Sequence, residues 1–493
     1  MKNLLLIIAL VIFSIYSFSQ SIDDALRYSQ SDLSGTARYV SMGGAFGALG
    51  GDISAISDNP AATGVFSYSE FNITPTIYHG NTETNYYGKT SYDNKTRFTL
   101  NNIGFVGTSK IDKNNWKFIN YAFSYKKLNN YNQNIYALGT NNNNSITDYF
   151  ANEANGTTLY DLDNNYDNSY VGDNAYQSYL IDPVENKPSN TEYKTSYNNY
   201  GEVQINRIKT TGNKSDYSFA IGTNYNNKIY LGMSFNYSSV NYTYLSDFEE
   251  QDIYKKIDDF KQMQYKNRYT TSGYAYTFKI GLIVRPIKWL RISYAFHTPS
   301  SYNMTDNYSH SIQSWGVKNE GNVTNPYAES PYGLYEYRII TPMKMMAGMG
   351  FVIGKKATIG LEYEYLDYSK ARISSRSSYN EFANDNAMIK DAFKGSHNVK
   401  AGFEYRLGQI SIRTGASYFD SPYRPKEINK NAYTIYYSGG LGLNLNFFYA
   451  NLAYSYGYST SYYYPYQIDG QDTEPYEINK STNKFIATIG VRF

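Results

Sequence analysis

There is no cysteine in the 493 residues, and there are only four histidines, three tryptophans and 13 prolines. Without cysteine there is no disulfide framework, no thiolate metal ligand and no thiol nucleophile. His79, His297, His310 and His397 are scattered, and no His-Glu-x-x-His helix, phosphate loop or metal-spaced cluster accompanies them. Charge of one sign is also missing. The 45 basic and 43 acidic residues leave a net charge of +2, which argues against a nucleic-acid binder. Beyond residue 19 no apolar run is long enough for a transmembrane helix. No catalytic set, metal site or cofactor is expected, and an enzyme embedded in the chain is a minor alternative.

What the chain has instead is tyrosine, 58 residues of it, in a polar background of mean hydropathy −0.56. Residues 1–19 read as a signal peptide. Lys2 supplies the positive start, 4–16 is the apolar run, and Ser17-Phe18-Ser19 gives a small-x-small cleavage site before Gln20. An exported chain without apolar helices can reside in a membrane only through strands.

The strands are visible as period-two alternation. In the last segment Phe485, Ala487, Ile489, Val491 and Phe493 share one face, and Lys484, Thr488, Gly490 and Arg492 the other. Ile229, Leu231, Met233 and Phe235 alternate with Lys228, Gly232, Ser234 and Asn236. Val399, Ala401, Phe403 and Tyr405 alternate with Asn398, Lys400, Gly402 and Glu404. A lipid-facing Lys or Arg at mid-depth costs about 2–4 kcal/mol, so the charged faces are assigned to a wet lumen.

Segment counting gives an all-β, transmembrane antiparallel barrel of about fourteen strands, a permitted even number. The spans fall near 68–87, 96–109, 115–138, 214–226, 228–247, 269–285, 287–298, 335–353, 356–369, 396–407, 409–420, 431–444, 446–460 and 482–493. A bulge is expected at Asn101-Asn102, where the apolar phase shifts, and 200–211 reads as a strand extension. Short joins alternate with long polar ones at 139–213, 248–268, 299–334, 370–395, 421–430 and 461–481. The short joins are assigned to the periplasm and the long ones to the cell exterior, with both chain ends on the short-join side. The tyrosines of 139–213 point to partial packing into an outer cap.

One stretch differs from all the others. Residues 37–64, ARYVSMGGAFGALGGDISAISDNPAATG, are poor in charge and dense in glycine. Asp52 is placed to cap a short turn over 53–57. Asn59 is placed to cap a second, with Pro60 at its first position and Gly64 just past its end. Irregular backbone at membrane depth needs protein or water around it, so the stretch is assigned to the inside of the barrel.

Met42-Gly43-Gly44-Ala45-Phe46 followed by Asp58-Asn59-Pro60-Ala61 resembles the N-terminal hatch of FadL-type outer-membrane transporters. The resemblance spans the chain in layout and the hatch in sequence. It implies three parts: a signal peptide at 1–19, a hatch at 20–67 and a barrel at 68–493. It also implies passive uptake of a hydrophobic small molecule, a long-chain fatty acid or an aromatic hydrocarbon. Gly43, Gly44, Gly47, Asn59, Pro60 and Ala61 are then the gating candidates, and sideways exit through a strand defect comes with the family. The terminal Phe493 resembles the assembly signal of outer-membrane barrels.

Alternation turns Glu362, Glu364, Lys400, Glu404, Arg406 and Arg413 inward on three successive strands. One reading is a charge ladder that fills the lumen and anchors the hatch; the other is a cationic hold on a substrate carboxylate. His297 also faces inward, beside Arg291 and Ser293, and some relatives in the family carry a haem-receptor label. The remaining rival is a structural or adhesive barrel whose loops bind partners. The partners expected are the hydrophobic substrate, outer-membrane lipid and the barrel-assembly machinery, with no nucleic acid and a monomeric chain.

Overall fold

The computed structural model describes residues 20–164, 170–319, 321–354, 356–375 and 382–493. The expected signal peptide lies outside them.

Strand follows strand in an antiparallel meander that closes on itself. The order is β1 (Glu70–Tyr86), β2 (Lys89–Lys113), β3 (Trp116–Asn130, resuming as Gln133–Thr140), β4 (Val203–Tyr225), β5 (Ile229–Gln251) and β6 (Gln262–Ile287). Next come β7 (Leu290–His297, resuming as Ser301–Trp315), β8 (Gly333–Ile340, resuming as Lys344–Ile353), β9 (Ala357–Asp367) and β10 (Gly395–Leu407). The circuit ends with β11 (Ile410–Phe419), β12 (Thr434–Asn444), β13 (Phe448–Tyr463) and β14 (Tyr476–Arg492). β14 pairs with β1 from Glu70↔Arg492 to Asn85↔Glu477, which leaves no free edge around the ring.

The period-two pattern explains why these segments are strands and which way they face. Outward positions such as Ile221, Met233, Phe235, Leu441, Leu452 and Ile489 are exposed apolar side chains. Inward positions such as Asn120, Ser124, Asn236 and Ser455 are polar and fully buried. Two aromatic rows bound the apolar belt. On one side Tyr125, Tyr217, Tyr237 and Tyr276 stand in register on β3–β6, their ring centres 5.2, 5.9 and 5.7 Å apart. On the other, Trp116 meets Tyr225 at 5.1 Å and Trp289 stacks on Phe351 at 6.1 Å. Tyr217 and Tyr225 are eight residues apart on β4. At about 3.3 Å per residue and a tilt of about 40°, that is about 20 Å of height, close to the belt of a membrane-spanning barrel.

The turn end carries the short joins and the loop end the long ones. The bulge falls where the sequence placed it: Thr74 faces Asn102 and Pro75 faces Leu100, so Asn101 is the extra residue. Other parts differ from expectation. Residues 299–334 were assigned to a loop, yet β7 resumes at Ser301 and pairs with both β6 and β8. Its polar sequence lies above the belt and lacks the apolar face that marks a lipid-exposed strand.

The few helices lie in the N-terminal segment and the loops. The β3–β4 connection contains α3 (Ile146–Ala154), α4 (Leu159–Asp163) and α5 (Tyr170–Gln177), and the β9–β10 connection contains α6 (Ala383–Ala392). Ile146, Phe150, Leu162 and Val171 pack onto Phe248, Met263 and Ile312, inward residues of the tall strands β5–β7, and form a cap.

The N-terminal segment threads the lumen. It holds α1 (Gln20–Ser29), α2 (Ala37–Ser41) and two 3-10 turns, Ile53–Ser57 and Pro60–Val65. Both chain ends are expected on the turn side, and the C-terminal one is there, with Ser69 and Phe493 exchanging backbone hydrogen bonds of 3.0 and 3.1 Å, whereas the first described helix is not. α1 lies toward the loop end, where the Tyr337 hydroxyl donates to Asp24 at 3.3 Å. Ala25, Leu26 and Tyr28 of α1 are buried in a layer with Tyr242, Tyr269, Tyr302, Tyr337 and Ile339, and this apolar layer draws the segment upward.

Candidate functional site

The segment has little regular structure, so its own side chains must satisfy its backbone. The Thr36 hydroxyl accepts the Tyr39 N–H at 3.1 Å and donates to the Asp52 carboxylate at 2.8 Å. Asp52 in turn caps the first 3-10 turn by accepting the Ser54 N–H at 2.9 Å. Asn59 caps the second by accepting the Ala61 N–H at 3.0 Å, with Pro60 at the first position. That turn runs through Gly64 to Val65, one residue past the stop read from the sequence.

The wall is shaped to receive this backbone. Gly222, Gly232 and Gly281 are lateral neighbours on β4, β5 and β6. A Cβ at any of them would collide with the stretch Asn59 to Gly64. Gly350, Gly360, Gly402 and Gly415 form a second row on β8–β11. There a Cβ would strike Met42, Gly43, Ala45 or Leu49. Two glycine tracks therefore let one backbone run against another, the close approach that only a missing side chain allows. The sequence reading named the segment's glycines and missed the wall's. The available signal was glycine recurring at inward positions of neighbouring strands.

Polar contacts complete the seat. Asn120 donates to the carbonyls of Thr63 and Phe66 at 2.7 and 2.8 Å. Lys279 reaches Asp216 at 2.7 Å and the Ser57 carbonyl at 2.9 Å, and Lys126 reaches Asp58 at 2.9 Å. These lumen pairs were also missed, although Asp216, Lys279 and Lys126 each fall on the inward face of an expected strand.

The expected lumen charges do come together. Lys400 lies 3.0 Å from Glu362 and 3.4 Å from Glu364, and Lys344 lies 3.3 Å from Glu364. Glu362 also accepts the Gly47 N–H at 2.7 Å. Glu404 gathers Arg413 at 2.6 Å, Arg406 at 2.8 Å and the segment's Arg38 at 3.0 Å. Arg406 alone is half exposed, at the turn-end rim. Each of these cations already faces a carboxylate, and Glu362 and Glu404 bind the segment directly. The geometry is that of an anchoring ladder.

The other candidates fall as follows. Gly43 sits against β11, where the Ser417 hydroxyl donates to its carbonyl at 2.7 Å. Gly44 takes a positive φ of 77° beneath Tyr39 and Leu33. Pro60 and Ala61 rest on Gly232. His297 is buried, with Nε2 2.6 Å from the Asp58 carbonyl oxygen, so that nitrogen is already engaged. Phe493 stands apart from the segment, stacked on Phe105 at the turn end.

Between the segment and the tyrosine layer lies a polar cavity of about 90 Å³, lined by Tyr28, Asp58, Lys126, His297, Lys344 and Lys400 among others. That is room for about three waters. A drug-sized organic ligand needs a pocket of about 300 Å³ or more.

One place in the wall is weakened. The β1–β14 ladder skips Thr74 and Pro75 opposite Ala487 and Thr488. Pro75 has no N–H to donate, and side chains stitch the gap instead: the Thr74 and Thr488 hydroxyls meet at 2.8 Å. Thr488 also accepts the Ala37 N–H at 2.7 Å, which ties the segment to this break. Outside it lies an apolar groove of about 490 Å³ lined by Pro75, Ile77, Phe98, Leu441, Leu452 and Phe485.

No family model and no curated protein sequence matches the chain. In three dimensions it is similar to a FadL homologue from Pseudomonas aeruginosa. The TM-score is 0.58 at 10% identity, over 94% of this chain and 100% of that one. It is also similar to the toluene transporter TodX from Pseudomonas putida, with a TM-score of 0.51 at 9% identity, over 94% and 100% of the two chains. At such identities the likeness is one of fold.

Proposed function

We propose that the chain is a FadL-type, non-enzymatic transport barrel of the Gram-negative outer membrane, taking up a hydrophobic small molecule passively. The observation that carries this reading is a segment threaded through a closed barrel and seated on two glycine tracks by capped turns and side-chain bonds. Among the described residues no strand ladder joins it to the wall, so it is separable from it. The apolar belt and its aromatic rows fit an outer-membrane setting, and the long loops fit the cell exterior. The monomeric state and handling by the barrel-assembly machinery belong to the same proposal.

In this reading Gly43, Gly44, Gly47, Asn59, Pro60 and Ala61 are the seat of the gate. Substrate is captured among the loops, enters the tyrosine layer around α1, and passes when the segment shifts. The Thr74–Thr488 seam beside the apolar groove is the candidate sideways exit. The test is uptake by proteoliposomes of radiolabelled toluene and of a labelled long-chain fatty acid, with a hydrophilic sugar as control. Saturable uptake of either hydrophobic solute supports transport. Uptake no faster than in protein-free vesicles, by a correctly folded barrel, leaves a closed structural or adhesive barrel as the better reading.

A further inference from the structure

One buried carboxyl group fastens the cap over the loop end, a second lies buried near it, and neither has a counter-charge. Glu250 is the last residue but one of β5, thirteen residues beyond Tyr237 and outside the apolar belt, and Glu202 immediately precedes β4. Both side chains are fully buried, at 0% exposure. Glu250 holds the start of α3: it accepts the Ser145 hydroxyl at 2.6 Å and the Ile146 N–H at 2.9 Å. It also accepts the Gln204 amide at 2.7 Å. One oxygen of Glu202 accepts the Gly201 N–H at 3.0 Å, and the other is buried with no hydrogen-bond partner.

Among the described residues no cation is paired with either group. α3 contributes Asp148, which is occupied by the Ser145 N–H and the Tyr200 hydroxyl. β1 and the turn after it contribute Tyr86 and Tyr87, the cap loop Tyr197 and Tyr200, and the β13–β14 loop Tyr466 and Glu474. Lys256, from the β5–β6 loop, lies against Gly201 but donates to Asn142 at 3.1 Å. Among the described residues neither Glu202 nor Glu250 has an ion pair.

We propose that Glu202 and Glu250 are a proton-controlled latch: while the pair holds a proton the helical cap stays seated on β4 and β5, and when both carboxyls ionise it lifts from the barrel mouth. Two buried carboxylates without a cation disfavour joint ionisation, because each is stripped of water and repelled by the other. Burial, then the neighbouring carboxylate, raises Glu202 above the ordinary range, and burial raises Glu250. In the lifted state both groups meet water and titrate near the ordinary carboxylate value. The seated cap therefore binds more protons than the lifted one. Its stability is full in acid and declines as pH rises through the raised range. The latch would control access to the mouth whatever molecule the barrel carries.

The native chain has no cysteine, so the test uses single thiols. Ala151→Cys reports the cap core, where Ala151 is 5% exposed, and Lys187→Cys reports an open part of the same loop. The ratio of their maleimide-labelling rates cancels the thiol's own ionisation. We expect the ratio to rise about tenfold between about pH 6 and pH 9, the change that one pKa unit of coupling gives, and to be flat with Glu202→Gln. If Glu202→Gln leaves the cap open at every pH, Glu250→Gln decides in the same way. A flat ratio in the parent, or an equal rise in both Gln variants, overturns the latch. Toluene uptake plays no part in the readout, so failure of the transport reading would be seen separately.

Discussion

Asn59 donates its side-chain amide to the backbone carbonyl of Gly47 across 2.8 Å, while its carbonyl oxygen caps the turn that begins at Pro60. The Gly47 N–H in turn meets Glu362, which is paired with Lys400. One side chain thus joins the two halves of the segment and, through a single glycine, connects them to the charge ladder of the wall.

Asn59→Ala removes both bonds. Loss of the cap costs about 1 kcal/mol, and the exposed Gly47 carbonyl adds a desolvation cost of about 1–3 kcal/mol. A closed ladder of fourteen strands tolerates that, so the variant should assemble with normal heat-modifiable gel mobility. Hydrophobic uptake or sugar leakage in liposomes should change severalfold. Wild-type flux of both solutes would mean that Asn59 does not set the segment's position.

The glycine tracks give a paired expectation. Gly281→Val and Gly402→Val place a branched side chain into the segment's backbone and should unseat it, raising leakage of small polar solutes. Gly439→Val is the control, since a Cβ there meets nothing nearer than the Arg413 carbonyl at 3.7 Å. Single-channel conductance separates the two, and equal conductance across the three variants would contradict the seating.

The faces of β14 can be tested with one residue type. Ile489 is 50% exposed to the belt and Thr488 is 1% exposed inside. Ile489→Lys should lose about 2–4 kcal/mol of assembly energy. Thr488→Lys gives up the bonds to Thr74 and Ala37 but keeps its charge within the lumen. Urea titration in detergent should show the larger loss at Ile489; the reverse order would mean that the faces are exchanged.

For the seam, Thr74→Cys with Thr488→Cys brings two sulfurs to positions now 2.8 Å apart, within reach of a disulfide. If exit runs sideways here, oxidation should block hydrophobic uptake, and reduction should restore it. Undiminished uptake by the oxidised pair would place the exit elsewhere.

The ring of strands was legible because lipid imposes a strict alternation on whatever faces it, as from Phe485 to Phe493. Where strands rise above the belt that constraint ends, which is why the second part of β7, from Ser301 to Trp315, read as loop. The capped turns at Asp52 and Asn59 were legible because capping is local chemistry. α1 was not, because Ala25, Leu26 and Tyr28 find their partners in Tyr131, Tyr242, Tyr269 and Tyr337, a hundred residues or more away. The glycine tracks depend on strand register, which sets Gly232 beside Gly281 and Gly360 beside Gly402. Register is a tertiary property that no single segment displays.

If the segment moves each time a hydrophobic molecule passes, locking it to the wall stops passage. A Cβ at Gly350 would lie 3.4 Å from the Ala48 Cβ, close to the separation of a disulfide pair. With Ala48→Cys and Gly350→Cys in proteoliposomes, oxidation should reduce labelled-toluene or fatty-acid uptake at least about tenfold, an added barrier of about 1.4 kcal/mol, and reduction should restore it. Full uptake by the oxidised protein, with the disulfide verified by mass spectrometry, would mean that the segment need not move for passage.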